Sequence, residues 1–323
     1  MIYISKIRRN IWPLYVHPLP DELFSSWICR LANNHRVSPE ILINESLNKK
    51  SPIKININNI DIEPEPNIID IITKNTPIKI EELTKLFLTD YESNIVENNI
   101  PEEILFSLLF LNINDPKKSK RRIVFCPNCL AKGTPYFRKK WMLTTSIVCC
   151  ECKSYLIDHC PSCYKPFSYW NSNKNSIQIN YSITTCKCGC DISKFSFPFR
   201  SSKLEIDYQN YIDFTINNGF NDHTQYSFTY LNVLIFTASM IKNIIKASRN
   251  KKKLFKVYPD VIMDIKVPSN KWTLSDRQHL LPIAFYLLQD FPNRIRYVFP
   301  KKYNLKREFG QLPYWFEKEL LYR

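Results

Sequence analysis

Apolar residues recur at helical spacing in several separate stretches of the chain. Leu23, Phe24, Trp27, Ile28 and Leu31 fall at i, i+3, i+4 and i+7 behind Pro18-Leu19-Pro20. This predicts a helix capped by Asp21 and running to Asn33-Asn34. A second helix is predicted from Ser38-Pro39, an N-cap followed by proline at the first helical position, through Ile41, Leu42, Glu45 and Leu47. Only His35-Arg36-Val37 separates them, so the pair reads either as a helix-turn-helix or as a plain αα-hairpin. Segment 51–66, alternating Ile with Asn and ending in Glu63-Pro64-Glu65-Pro66, reads as an irregular excursion. Helical periodicity returns at 68–72, 80–88 and 102–111. Beyond residue 200 it marks 205–216, 226–248, 257–263, 275–288 and 315–321, with Pro282 inside its helix as a kink point. Strands are expected only in short pieces, as at 177–183.

Composition narrows the function classes. The chain has 323 residues and only four glycines, so neither G-x-x-x-x-G-K-[ST] nor G-x-G-x-x-G can be written anywhere in it. A P-loop ATPase is excluded. Charge is uneven. Segment 51–112 carries 11 acidic and 4 basic residues, 116–150 carries 9 basic and none acidic, and 241–310 carries 16 basic and 5 acidic, within a formal net charge of +15. One-sided basic segments attract polyanions. The longest apolar stretch, 230–241, is broken by Asn232 and stops at Lys242, short of the roughly 18 residues a membrane span needs. Lys6, Arg8 and Arg9 near the N-terminus precede no apolar run or cleavage site, so a cytoplasmic protein with no membrane association is expected.

The cysteines carry the chemistry. There are 11, and all but Cys29 fall within 126–190. In a reducing compartment such clustering means metal, with zinc the default. Cys126-Pro-Asn-Cys129 and Cys160-Pro-Ser-Cys163 are C-x-x-C knuckles, in which two thiolates converge on one ion. Cys149 and Cys152 supply a second pair about 20 residues after the first, and Cys186 and Cys188 complete the other set. Cys150 can replace Cys149 and Cys190 can replace Cys188 on spacing alone. Two structural zinc ions are therefore expected, because a closed four-thiolate site leaves no open coordination position. A zinc deaminase is excluded, since none of the five histidines is followed two residues later by Glu. Each filled site carries a formal −2, which lowers the net charge of +15 to about +11. The expected fold class is mainly α with small zinc-ribbon or zinc-knuckle β elements. It divides into an N-terminal helix-turn-helix-like domain, 1–115, a tandem zinc-finger region, 116–200, and a C-terminal helical domain, 201–323.

Pro135-Tyr136-Phe137-Arg138-Lys139-Lys140-Trp141 interleaves cations with aromatics. Two readings compete. Arg138, Lys139 and Lys140 either meet nucleic-acid phosphate or lie beside rings packed under the metal loops. Lys251-Lys252-Lys253 and Lys301-Lys302 read as solvated faces.

At this point the ordered motifs resemble a family. Pro18-Leu19-Pro20-Asp21-Glu22-Leu23 with Ser25-Ser26-Trp27 and Arg30-Leu31-Ala32, then Cys-Pro-x-Cys, Tyr136-Phe137-Arg138-x-x-Trp141, Cys-x-x-Cys and a Leu-Ile-Asp-x-Cys-Pro-x-Cys run, are similar to the TniQ/TnsD transposition proteins over about 1–190. The family pattern usually has His where Cys152 stands; both ligate zinc. The resemblance assigns Cys149 to the first site and Cys186 with Cys188 to the second, leaving Cys190 spare. It implies a non-enzymatic target selector for transposition, recruiting an AAA+ ATPase (TnsC-like) and through it a transposase. The landing site is read either from DNA or through a Cascade-type CRISPR effector with guide RNA. Members that read DNA directly tend to carry further C-terminal DNA-binding helices, which in a chain ending at Arg323 are expected to be either absent or removed. The resemblance also suggests a homodimer. Trp27, Ile28 and Leu31 offer an apolar face for docking, and Trp27 with Arg30 is the expected partner-binding position. The competing classes are a stand-alone zinc-ribbon DNA-binding protein and a nucleic-acid enzyme. The carboxylates of 51–112 are scattered with no basic or aromatic groove beside them, which argues against the enzyme.

Overall fold

The structure is a computed structural model describing residues 11–45, 60–62, 66–96, 123–170, 182–195, 200–247, 251–259, 272–299 and 312–321. Its helices are α1 Phe24–Asn34, α2 Pro39–Glu45, α3 Pro66–Asn75, α4 Ile80–Thr84, α5 Glu92–Ile95, α6 Pro127–Leu130, α7 Lys203–Asn218, α8 Ser227–Ala247, α9 Lys251–Val257, α10 Leu274–Gln289, α11 Asn293–Val298 and α12 Tyr314–Leu321. Strands β1 Val148–Cys149 and β2 Ser154–Tyr155 pair antiparallel. The protein is thus mainly helical with a few short strands. The expected elements at 102–111, 177–181 and 260–263 lie outside the described residues. Two compact units share the chain. One is built from 1–90, 120–142 and 158–196, the other from 91–119, 143–157 and 197–323.

In the first unit α1 and α2 follow the predicted pattern, and Ser38 Oγ accepts the Ile41 N–H at 3.2 Å as an N-cap should. Asp21 does not cap α1. The N-cap is Leu23, without a side-chain bond. The chain before the helix is instead held by backbone pairing: Leu23 N–H donates to the Phe137 carbonyl and Lys139 N–H to the Asp21 carbonyl, each at 2.8 Å. Asp21 adopts φ +59° to allow this. The apolar face of α1 is covered from within the unit. Phe24, Trp27, Ile28 and Leu31 are fully buried, with the Phe24 and Phe87 rings 4.6 Å apart. The end of the irregular excursion turns back into this core, burying Ile60 and Ile62 on either side of Asp61. Four rings continue the interior. Phe137 stacks on Tyr169 at 4.4 Å and Phe167 at 5.8 Å, and Phe125 lies 5.1 Å from Phe167.

The second unit is organised on α7, α8 and α10. Ser202 and Glu205 form a capping box at α7, and Thr273 with Asp276 does the same at α10. Gly219 closes α7 at φ +77°. A Cβ there would meet Asn94 Oδ1 at 3.3 Å, and Asn94 Nδ2 donates to the Ile216 carbonyl at 2.9 Å. Segment Ser227–Ile245 of α8 is longer and more apolar than the 230–241 stretch suggested, enough by length and composition to cross a membrane, and 67% of it is buried within the fold. That burial against α10 and α7 accounts for its apolarity. α10 runs through Pro282. α9 ends at Val257, earlier than the helix expected over 257–263, and α11 has no counterpart in the periodicity. Six residues between Pro292 and Phe299 are too few to display it.

Candidate metal centres

Each cysteine pair sits on a turn that forces its two sulfurs to one side. Cys126 is the N-cap of α6, Pro127 takes the first helical position, and Cys129 follows in the same turn. Cys149 ends β1, and Cys152 lies in the turn to β2, whose register pairs Cys149 with Ser154. Cys150 is the turn residue after β1 and is not one of the four gathered sulfurs. Cys160 and Cys163 occupy a turn closed by the Tyr164 N–H on the Cys160 carbonyl at 2.9 Å, and Cys186 and Cys188 one closed by the Gly189 N–H on the Cys186 carbonyl at 2.8 Å. In three of the four pairs the residue after the second cysteine is left-handed: Lys153 at φ +53°, Tyr164 at +56° and Gly189 at +85°. A left-handed residue at the same place in three turns marks a common geometric demand, met at a steric cost by Lys153 and Tyr164 and freely by Gly189.

These turns gather eight sulfurs into two groups. Cys126, Cys129, Cys149 and Cys152 have Sγ atoms within 4.8 Å of one another, and so do Cys160, Cys163, Cys186 and Cys188. In the second group Cys160 and Cys188 are 3.7 Å apart, and Cys163 and Cys186 3.8 Å. A tetrahedron of sulfurs about 2.3 Å from a central ion has edges of about 3.8 Å, so the donor set fits a four-thiolate metal. Electrostatics agree. Burial raises the Cys160 thiol, but the amides of Cys163 and Ser162 and the neighbouring thiols outweigh it, holding it down to about 7. Cys186 is pushed up to about 12 by burial and by the hydrogen bonds its thiol donates to Cys160, Cys188 and Cys163. Four thiolates crowd together only around a cation. Cys190 stays outside the group of four, its thiol hydrogen-bonded to Cys160 and its carbonyl accepting the Cys186 N–H at 2.8 Å.

Helices hold the β1–β2 turn. Gln209 Oε1 of α7 accepts the Ile147 N–H at 2.8 Å, and Gln278 Nε2 of α10 donates to the Leu156 carbonyl at 2.8 Å. Tyr208 donates to the Thr145 carbonyl at 2.7 Å. None of these helical side chains announces itself in the sequence, because each pairs across 60 residues or more.

Residues 13–156 match the TniQ family. Over this segment the chain is similar to the TniQ transposition proteins. No curated protein matches it. The TniQ-like motifs noted in the sequence turn out to form one network in the first unit. Glu22, fully buried, accepts from Ser26 Oγ at 2.9 Å and from Arg30 Nε at 2.8 Å and Nη2 at 2.6 Å. Ser26 Oγ in turn accepts the Phe137 N–H at 3.0 Å. Ser25 donates its N–H and hydroxyl to Asp61 at 2.6 and 2.7 Å and meets the Tyr169 hydroxyl. Trp27 Nε1 donates to the Val16 carbonyl at 2.9 Å. Trp27 and Arg30 therefore serve the interior, with the Arg30 side chain only 12% exposed.

The cation-aromatic run is similarly engaged. Lys139 is buried and its ammonium lies 2.6 Å from Asp90. The Arg138 guanidinium sits over the rings of Tyr136 and Trp141 at 5.5 and 5.4 Å. Lys140 is half-buried, its N–H 3.5 Å from Asp21. Asp61 and Asp90, which orient these motifs, carry no signal in the sequence because isolated carboxylates have no spacing, and Glu22 stands there only as part of the motif at 18–23 with no role attached.

Proposed function

We propose that this TniQ-like protein is a non-catalytic target-site selector, an adaptor linking a recognition element to the AAA+ regulator of transposition and so to the transposase. The observation that carries the reading is the TniQ match over 13–156, which spans α1, α2 and the ligands of the first sulfur group. Two closed four-sulfur groups support it further, since their chemistry is to fix loops and leave no coordination position for a substrate. Zinc is the ion that suits them. Cys126, Cys129, Cys149 and Cys152 would hold one, and Cys160, Cys163, Cys186 and Cys188 the other, each supplying folding free energy and no bond-making step.

In this reading α1 and α2 act as a helix-turn-helix-like element, the protein works as a homodimer near DNA in the cytoplasm or nucleoid, and the recognition element is either a DNA site or a Cascade-type complex with guide RNA. The three-part division 1–115, 116–200 and 201–323 is the functional one: recognition, metal-held core and partner surface. A reconstituted insertion assay tests the proposal. Omitting the chain should abolish insertion at the selected site, and the purified chain should capture the AAA+ ATPase. Unchanged targeting in its absence overturns the reading.

A further inference from the structure

A basic ridge flanked by two rings stands on the second unit. α9 reads Lys251-Lys252-Lys253-Leu254-Phe255-Lys256-Val257. Leu254 is fully buried, and α9 packs on α11. At about 100° per residue the side opposite Leu254 presents Lys252 and Lys256, neighbours at i, i+4, with Phe255 and Lys251 on one flank and Lys253 on the other. On that second flank Lys253 Nζ lies 5.9 Å from the ring centre of Tyr297 in α11. Phe255 is 50% exposed and Tyr297 45%. Neither helix contains a carboxylate, and among the described residues none pairs with the four α9 lysines. The arginines of α11 differ. Arg296 is tied to Glu319 at 2.6 Å and Arg294 to Asp290 at 3.6 Å. A lysine run alone is a solvated face. Here each side of it also offers a half-exposed aromatic ring, so the fitting ligand pairs negative charge with flat apolar faces.

We infer that the α9–α11 face binds single-stranded DNA, with phosphates along Lys252 and Lys256 and unpaired bases laid on Phe255 and Tyr297. A duplex does not suit it, because stacking already covers both faces of each base. The choice of DNA over RNA rests on the TniQ match; the surface itself does not depend on the adaptor reading.

Fluorescence anisotropy of the full chain tests this with labelled oligothymidine of about 16 nucleotides, the upper range of single-strand sites, against oligouridine and a duplex of equal length over a KCl series. Oligothymidine should bind tightest. Its log K should fall with log salt by about 0.7 per phosphate contact, and the Lys252→Ala, Lys256→Ala double variant should flatten that slope by about 1.4. Phe255→Ala and Tyr297→Leu should each weaken single-strand binding by about 5- to 150-fold at unchanged slope. Zinc content and melting temperature check folding. If Phe255→Ala melts early, Phe255→Leu keeps the bulk and removes the stacking face. Equal or tighter binding of duplex or RNA, unchanged affinity in the ring variants, or an unchanged slope in the lysine variant overturns the proposal. Loss of ATPase capture with DNA binding intact would count against the adaptor reading and leave this surface standing.

Discussion

At the scale of single residues, charge placement decides structure more often than it offers contact. Glu22 is a fully buried carboxylate whose only described cation is the Arg30 fork, at 2.6 and 2.8 Å. Removing one partner of such a pair leaves an uncompensated buried charge, at a cost of about 3–5 kcal/mol. Arg30→Ala should therefore lower the unfolding midpoint sharply, and Arg30→Lys, which keeps the charge and loses the fork, should recover only part of it. Denaturant titration distinguishes this from a pure binding role, which would leave the midpoint in place. Lys139 makes a parallel case. Its side chain is 5% exposed while Asp90 is 40% exposed, so screening reduces the loss on Lys139→Ala to about 1–2 kcal/mol. Because its ammonium is taken by Asp90, the salt dependence of DNA binding should not move; a flattened slope in Lys139→Ala would return this lysine to the nucleic-acid surface.

Elements show why parts of the protein were legible and others were not. α1, α2, α7, α8 and α10 were readable because each shows an apolar face over at least two turns or a cap of known chemistry. The start of α1 was misread because local capping logic placed Asp21 at the N-cap, whereas pairing with 137–139, more than 110 residues away, fixes the backbone there. No local pattern reports such a partner. The cysteine pairs were legible because turn geometry imposes their spacing, and the folded position of Cys149 in the group of four selects it over Cys150, which spacing could not do. What the sequence concealed was the support of the β1–β2 turn. Gln209 Oε1 serves the buried amide of Ile147 at 2.8 Å and approaches that of Val148 at 3.4 Å. Gln209→Leu should cost about 1–3 kcal/mol by orphaning the Ile147 amide. It should also speed transfer of one of the two metal ions to a colorimetric chelator, leaving the other at the wild-type rate. Equal rates for both would mean that α7 does not govern the first group.

For the whole molecule, the TniQ match over 13–156 and the metal chemistry converge. The TniQ motifs were recognisable as a set, yet their meaning is structural: Ser25, Ser26, Trp27 and Arg30 tie α1 to Asp61, Phe137 and the chain before the helix. The apolar face expected to dock a second copy is consumed internally, so the proposed homodimer would have to use another surface. Trp27→Ala should accordingly lower melting temperature with the self-association constant unchanged at equal folded concentration, and sedimentation of the folded fraction checks it.

The central claim is that two four-thiolate zinc ions build this adaptor. Native mass spectrometry of protein purified without added metal tests it most directly. The account predicts a mass excess of two zinc ions per chain, falling to one with Cys129→Ser or Cys188→Ser if the variant stays soluble, with all eleven cysteines free of disulfide bonds. A folded wild-type chain carrying one ion or none, or cysteines of the two groups joined as disulfides, would contradict it.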